Sequence, residues 1–306
     1  MKNNLLTIIL LLTTLTACGQ NKMEQKYFTW DNFVEGFGKE IISAEDVYNN
    51  MVKSGLKENC LTKMDFTFIS SKKENLQKLG EFIKSHYPYS VQEVKNYGEL
   101  WELNGETHEI PMTADNLCYW GLDMYKRGYE FDAKLDAYGG PFDPKNQKFP
   151  TLDTTQTDYY FDKGIECYNN GDLSGAIFNW SLTIQIDPKD YNAYYSRAIV
   201  KNELYTWKAA LKDYDKAIDI APKFVNALIN RGGLKDENGD YQGAIADYLT
   251  VLKLDKLEQV EKQQAYFNLG NTYFNLKDKK KACEYWNKAL ENGAEYAKKR
   301  ITEHCR

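Results

Sequence analysis

Residues 164–188 read Gly-Ile-Glu-Cys-Tyr-Asn-Asn-Gly-Asp-Leu-Ser-Gly-Ala-Ile-Phe-Asn-Trp-Ser-Leu-Thr-Ile-Gln-Ile-Asp-Pro, and their landmarks return downstream. Ala176, Ala210 and Ala244 recur at intervals of 34 residues, as do Trp180, Tyr214 and Tyr248, and Gly164, Ala198 and Gly232. A fourth unit follows after a four-residue insertion, with Gly270, Ala282 and Trp286 in the matching places. Pro188 and Pro222 close the first two units, whereas Lys256 stands where a third proline is expected. Each unit carries a small residue where a partner helix must come close, then an Ala with an aromatic four residues on, on one helix face. Between them, Asn170-Gly171-Asp172, Asn238-Gly239-Asp240 and Lys277-Asp278 supply a left-handed stop and an N-cap, and Thr206 takes the cap position in the second unit. The spacing predicts eight helices over 157–306 and a capping helix near Glu295 to His304.

A period of 34 with these landmarks resembles the tetratricopeptide family over about half of the chain. The resemblance implies an all-α solenoid whose inner groove holds a protein or peptide partner. In the family's register the concave helices present Phe161, Tyr195, Ile229 and Phe267 at one position and Asp162, Ser196, Asn230 and Asn268 at the next. Family members that grip a terminal carboxylate place Lys, Asn and Arg here, and those cations are missing. An apolar stripe beside Asn230 and Asn268 is similar to arrays that hold a peptide backbone through amides, which both donate and accept. The same residues also admit a plainer reading, with the aromatics packed between repeats and the asparagines solvated.

The chain's other end sets where it works. Lys2 and the apolar run Leu5 to Leu15 form an n-region and h-region, too short to span a membrane. With Leu15-Thr16-Ala17-Cys18 they resemble a bacterial lipoprotein signal. That resemblance implies a signal peptide over 1–17, acylation of Cys18 (palmitate among the chains), and a polar tether with a short helical lead-in over 18–56. It places the protein on the cell membrane or outer membrane, and the lack of an acidic run after Cys18 favours the periplasmic face.

Over 57–139 the apolar period changes. Asp65 to Ile69 alternates as a strand, Leu76, Leu79, Phe82 and Ile83 stripe a helix, Tyr89 to Val94 and Glu99 to Leu103 read as strands, and Glu106 to Met112 as a second hairpin arm. Asp115 to Arg127 returns to helix and Glu130 to Tyr138 closes as a strand; upstream, Ser43 with Asp46 reads as the cap of a short helix ending at Gly55. Strand, helix, strands, helix, strand is the order of a split βαβ sandwich. Gly128-Tyr129-Glu130-Phe131-Asp132 resembles the Gly-x-Glu-Tyr-Asp signature of the family named for a regulator of ribonuclease E activity, type B (RraB-like), with Ala133-Lys134 in place of the usual Gly-Trp. That resemblance implies a ferredoxin-like fold and enzyme inhibition by protein contact, although a lipid-anchored domain outside the cytoplasm cannot meet a cytoplasmic ribonuclease. On the plainer reading Glu130 and Asp132 are solvent-face residues of an edge strand. Residues 140–156, with Gly140, Pro141, Pro144 and Pro150, read as a linker. The expected architecture is therefore α+β: a ferredoxin-like α/β sandwich followed by an all-α repeat array.

Composition removes several function classes. With 39 basic against 44 acidic residues and no basic run, no nucleic-acid partner is expected. The histidines His86, His108 and His304 are scattered, no phosphate-binding or dinucleotide loop is present, and no nucleophile stands with a base, so neither catalysis, cofactor nor metal is expected. Asp236, Asn238 and Asp240 mimic a calcium loop, but Tyr241 takes the glycine position. Cys60, Cys118, Cys167, Cys283 and Cys305 remain after Cys18; Cys283 and Cys305, in the last repeat and its cap, are the expected disulfide.

Overall fold

The computed structural model describes residues 26–305, so the expected signal peptide and Cys18 lie outside the described residues. No helix among the described residues is long and apolar enough to cross a membrane. The chain forms two compact units, one running to Pro188 and taking in Glu203–Tyr205, the other 189–202 with 206–305.

The first unit begins with α1 (Trp30–Lys53). Thr29 accepts from the Asn32 amide in a reciprocal capping box, so the helix starts well before the Ser43 cap expected from sequence. Ser43 sits inside it, because the buried positions Phe33, Glu40, Ala44 and Met51 continue one face across that point. Strands β1 (Cys60–Thr62), β2 (Asp65–Ser70), β3 (Ser90–Val91), β4 (Lys95–Tyr97), β5 (Leu100–Glu106), β6 (Ile110–Met112) and β7 (Lys134–Gly139) and helices α2 (Lys73–His86) and α3 (Ala114–Glu130) follow. The main sheet has the order β3-β5-β2-β7 with β4 beside β5, every pairing antiparallel. Phe66 and Phe68, two apart on β2, share a buried cluster with Leu103, with Leu76, Leu79 and Ile83 of α2, and with Leu117, Trp120 and Met124 of α3.

Three local expectations are corrected. Glu106 to Met112 is not a hairpin arm: Thr107 and Met64 bond each other, the chain leaves the sheet, and β6 pairs with β1. The last strand starts at Lys134 rather than Glu130, because α3 runs to Glu130 and turns at Asp132 (φ 54°). Glu130 and Asp132 are consequently not strand-face residues. Glu130 accepts from Arg127, while Asp132 accepts from the Phe28 amide and from Asn75.

Residues 140–156 do not separate the two units. Lys148 bridges to Leu61, and Gln147 bonds Lys57 and Gly55. The first helical pair, α4 (Thr157–Asn169) and α5 (Leu173–Ile186), belongs to the first unit, with α5 against α3. Buried polar groups make that contact. Arg127 donates to the Gly171 carbonyl (2.6 Å) and to the Tyr87 hydroxyl (3.0 Å), Tyr87 donates to Asp123, and Asp123 accepts from the Ser174 amide (3.0 Å). Apolar matching alone would not fix this contact, whereas the Gly171 carbonyl and the Ser174 amide meet these partners only when the pair is seated.

The second unit contains α6 (Tyr191–Glu203), α7 (Trp207–Ile220), α8 (Val225–Glu237), α9 (Tyr241–Leu252), α10 (Gln259–Asn275), α11 (Lys279–Glu291) and α12 (Ala297–His304). The small residues do what the period requires. A Cβ on Gly232 would lie 2.7 Å from the Tyr248 ring, and one on Gly270 would strike Trp286. Gly239 turns the chain at φ +84°, and Asp240 and Asp278 cap α9 and α11. Thr206 does not cap α7; its hydroxyl donates to the Lys201 carbonyl instead. Cys283 and Cys305 form a disulfide with Cα atoms 5.6 Å apart, joining α11 to the end of α12, and Cys60, Cys118 and Cys167 are free thiols.

Candidate functional site

A groove of about 730 Å³ runs across the first helices of the second unit, lined from α6, α8, α10 and α12, with Tyr214 of α7 and Tyr241 and Tyr248 of α9 also on its wall. Asn230 and Asn268, equivalent residues of consecutive repeats, both line it. The Asn230 amide donates to the Tyr195 hydroxyl (3.2 Å), which leaves its carbonyl oxygen for another partner.

The apolar stripe expected beside them is not assembled as a ladder. Ile229 reaches the groove but is 8% exposed and belongs to the core of α8, α9 and α10. Tyr195 packs on Phe224, and Phe267 packs edge-on against Tyr296; neither lines the groove. Phe161 stands in the first unit, where its carbonyl accepts from the Trp180 indole. The aromatic rings serve helix packing because a helix position one residue away from the asparagines is rotated by about 100° from them.

Sequence reasoning missed several lining residues. Asn271 and Asn275 follow Asn268 at helical spacing and line the same groove, with Asn202 on α6 and Arg300 on α12. The i, i+3, i+7 pattern of Asn268, Asn271 and Asn275 was a readable signal. Asp236 and Glu237 also line the groove, and burial raises the pKa of both. Asp236 Oδ2 accepts from Asn275, while its buried Oδ1 has no hydrogen-bond partner. Asn238 bonds back to Leu234 and Asp240 caps α9, so these two of the apparent calcium-loop residues serve the repeat turn, while Asp236 faces the groove.

Behind the groove lies a second pattern at the 34-residue interval. Arg197 and Lys201 pair with buried Asp213, and Arg231 and Lys235 pair with buried Asp247; each arginine makes a two-pronged contact. The fourth unit replaces this triad by Leu269, Tyr273 and Tyr285, with the two tyrosine rings stacked at 5.3 Å. These charges are engaged in packing and leave the groove's recognition chemistry to its amides, the carboxylates of Asp236 and Glu237, and Arg300.

No group of His, Cys, Asp or Glu side chains among the described residues is arranged to hold a metal. Burial pushes the Cys118 thiol up to about 11 and the Cys167 thiol up to about 12, which keeps both protonated and poorly nucleophilic.

A family model described as tetratricopeptide repeat matches residues 225–256, and another so described matches residues 263–292. No curated protein matches the chain. Among solved structures, the chain is similar to pilF of Pseudomonas aeruginosa at 26% identity, over 45% of this chain and 61% of that one, with a TM-score of 0.41. It is similar to a tetratricopeptide repeat protein of Parabacteroides merdae at 23% identity, over 46% and 55% of the two chains, with a TM-score of 0.42. The first TPR of Spaghetti (RPAP3), solved with an HSP90 peptide, shares 21% identity over 41% of this chain and 97% of its own, with a TM-score of 0.38. The chain thus spans less than two thirds of the first two of these structures. The matches at 225–256 and 263–292, together with the paired helices around them, show that the C-terminal part of this protein is built of tetratricopeptide repeats, modules of protein–protein interaction.

Proposed function

We propose that this protein is a lipid-anchored envelope component that holds an extended segment of a partner protein in the asparagine-lined groove of its repeats. The observation that carries the reading is the convergence of Asn230 and Asn268, from consecutive repeats, on one groove with Asn271 and Asn275. Side-chain amides at that spacing match the alternating donors and acceptors of an extended backbone whatever its sequence. Asp236 and Glu237, two carboxylates against the cation Arg300 in the groove, add selectivity by disfavouring acidic tails and favouring a segment with a lysine or arginine. Each backbone hydrogen bond contributes about 0.5–1.5 kcal/mol, so Asn230→Ala with Asn268→Ala should weaken the partner about tenfold. The measurement is affinity for the partner recovered from envelope extract by the wild-type chain, with circular dichroism as the folding control. Equal affinity in the two proteins would remove the groove from the function.

Anchoring rests on Leu15-Thr16-Ala17-Cys18 and the apolar run before it. Cys18→Ser should move the protein from the membrane fraction to the soluble fraction, and labelled palmitate should enter only the wild type. Absence of label in the wild type would overturn the anchor.

A second reading assigns the sheet domain to the RraB-like family and makes it an enzyme regulator for which the repeats dock the target. The order β7-β2-β5-β3, with α2 and α3 as the two helical connections, supports a ferredoxin-like assignment for that domain. Its signature residues argue against a contact role here, since Asp132 and Glu130 are spent on internal hydrogen bonds. The groove is therefore the preferred site of action.

A further inference from the structure

The groove of the repeats has an acceptor side and a donor side. Asp236 and Glu237 end α8, where the helix dipole already leaves negative charge, so the two carboxylates stand where they are disfavoured and where a cation laid over them is favoured. The Asn230 carbonyl oxygen, left over by the amide's bond to Tyr195, adds an acceptor on the same helix. The later helices do the reverse. The Trp286 indole can only donate, so Asn271 of α10 meets it with its carbonyl oxygen (3.1 Å) and keeps its amide hydrogens for another partner. Arg127, Arg197 and Arg231 each pair with a carboxylate, whereas Arg300 of α12 lines the groove and pairs with none among the described residues. Its helix is held in place beforehand: the Cys283–Cys305 disulfide ties the end of α12 to α11, and the His304 ring lies 4.6 Å from that of Phe274, on the groove wall.

We propose that the groove selects a segment of opposite charges, with a lysine or arginine over Asp236 and Glu237 and an aspartate or glutamate side chain against Arg300 and Asn271. This rests on the groove being the site of action and adds to it the second charge and the spacing. α10 lies against α8 and its Phe274 meets His304 of α12, so the two poles stand about two helix spacings apart, about 16–20 Å. An extended chain covers that distance in about five residues. The amides between the poles serve the backbone of the intervening residues.

The probes are four serine–threonine peptides of about eight residues, acetylated and amidated so that no terminal charge takes part, with the two reading positions about five residues apart. They carry arginine and aspartate, arginine and asparagine, glutamine and aspartate, or glutamine and asparagine, and are titrated calorimetrically into the full chain. The arginine–aspartate peptide should bind tightest, and loss of either charge should weaken it about three- to tenfold. Arg300→Gln should cancel the advantage of aspartate over asparagine and keep that of arginine over glutamine; Asp236→Asn with Glu237→Gln should do the opposite. A purely structural role for these residues would weaken all four peptides alike, and that result would overturn the proposal. Equal affinity of the wild type for all four peptides, lowered in Asn230→Ala with Asn268→Ala, would overturn the charge reading and leave the groove standing. No binding of any peptide at about 1 mM, where even a weak site begins to fill, would overturn both.

Discussion

At the scale of single residues, Asp172 shows how one sequence position acquires two tasks. It caps α5 in the manner of Asp240 and Asp278 in later repeats, yet it is 4% exposed. Burial first, and then the nearby Asp123 carboxylate, raise its pKa to about 7. The folded state therefore prefers the protonated acid. Its contribution to stability is full below the ordinary carboxylate pKa near 4 and is lost progressively as pH rises to about 7. Asp172→Asn keeps the cap and removes the ionisation, so the variant should gain stability relative to wild type between pH 5 and pH 8, by roughly 1–3 kcal/mol. Urea unfolding at both pH values measures this, and a constant difference between the two proteins would contradict it.

At the scale of elements, the repeats solve one packing problem in two ways. Arg231 and Lys235, both partly exposed, hold the buried Asp247 where the fourth unit stacks Leu269, Tyr273 and Tyr285, and Arg231 also reaches Asp215. Removing one partner of a buried pair costs about 3–5 kcal/mol, whereas replacing the whole set by packed apolar groups is often neutral. Arg231→Leu alone should thus cost about 3 kcal/mol, with the loss moderated by the remaining Lys235. Arg231→Leu combined with Lys235→Tyr and Asp247→Tyr should restore the midpoint of thermal unfolding to within a few degrees of wild type. A triple variant less stable than the single one would show that the two solutions are not interchangeable. The 34-residue recurrence of Arg, Lys and Asp was present in the sequence, but only the contacts reveal that these charges are internal.

For the whole molecule, the natural cut falls at Pro188, since the first helical pair is compact with the sheet domain and the later repeats form their own unit. A fragment of residues 189–306, with three repeats, its cap and its disulfide, should fold cooperatively by circular dichroism, because stacked repeats are stabilised by nearest neighbours. One beginning at residue 157 would lay bare Asp172, Leu173 and Ile177 and should be more prone to associate on a sizing column. A non-cooperative 189–306 fragment would invalidate this division. Much of this architecture could be read beforehand, because repeat period, glycine stops, aspartate caps and β2 alternation are local patterns whose spacing equals the geometry of the element they form. The paired positions of Asn230 and Asn268 were likewise fixed by the period. What only the tertiary structure decided involves residues far apart in the chain: the pairing of β6 with β1, the internal duties of Glu130 and Asp132, and the meeting of Asp123 and Arg127 with Ser174 and Gly171. No periodicity records such meetings. They follow from where the path of the backbone brings polar groups out of water, and there each group takes whichever partner the fold presents.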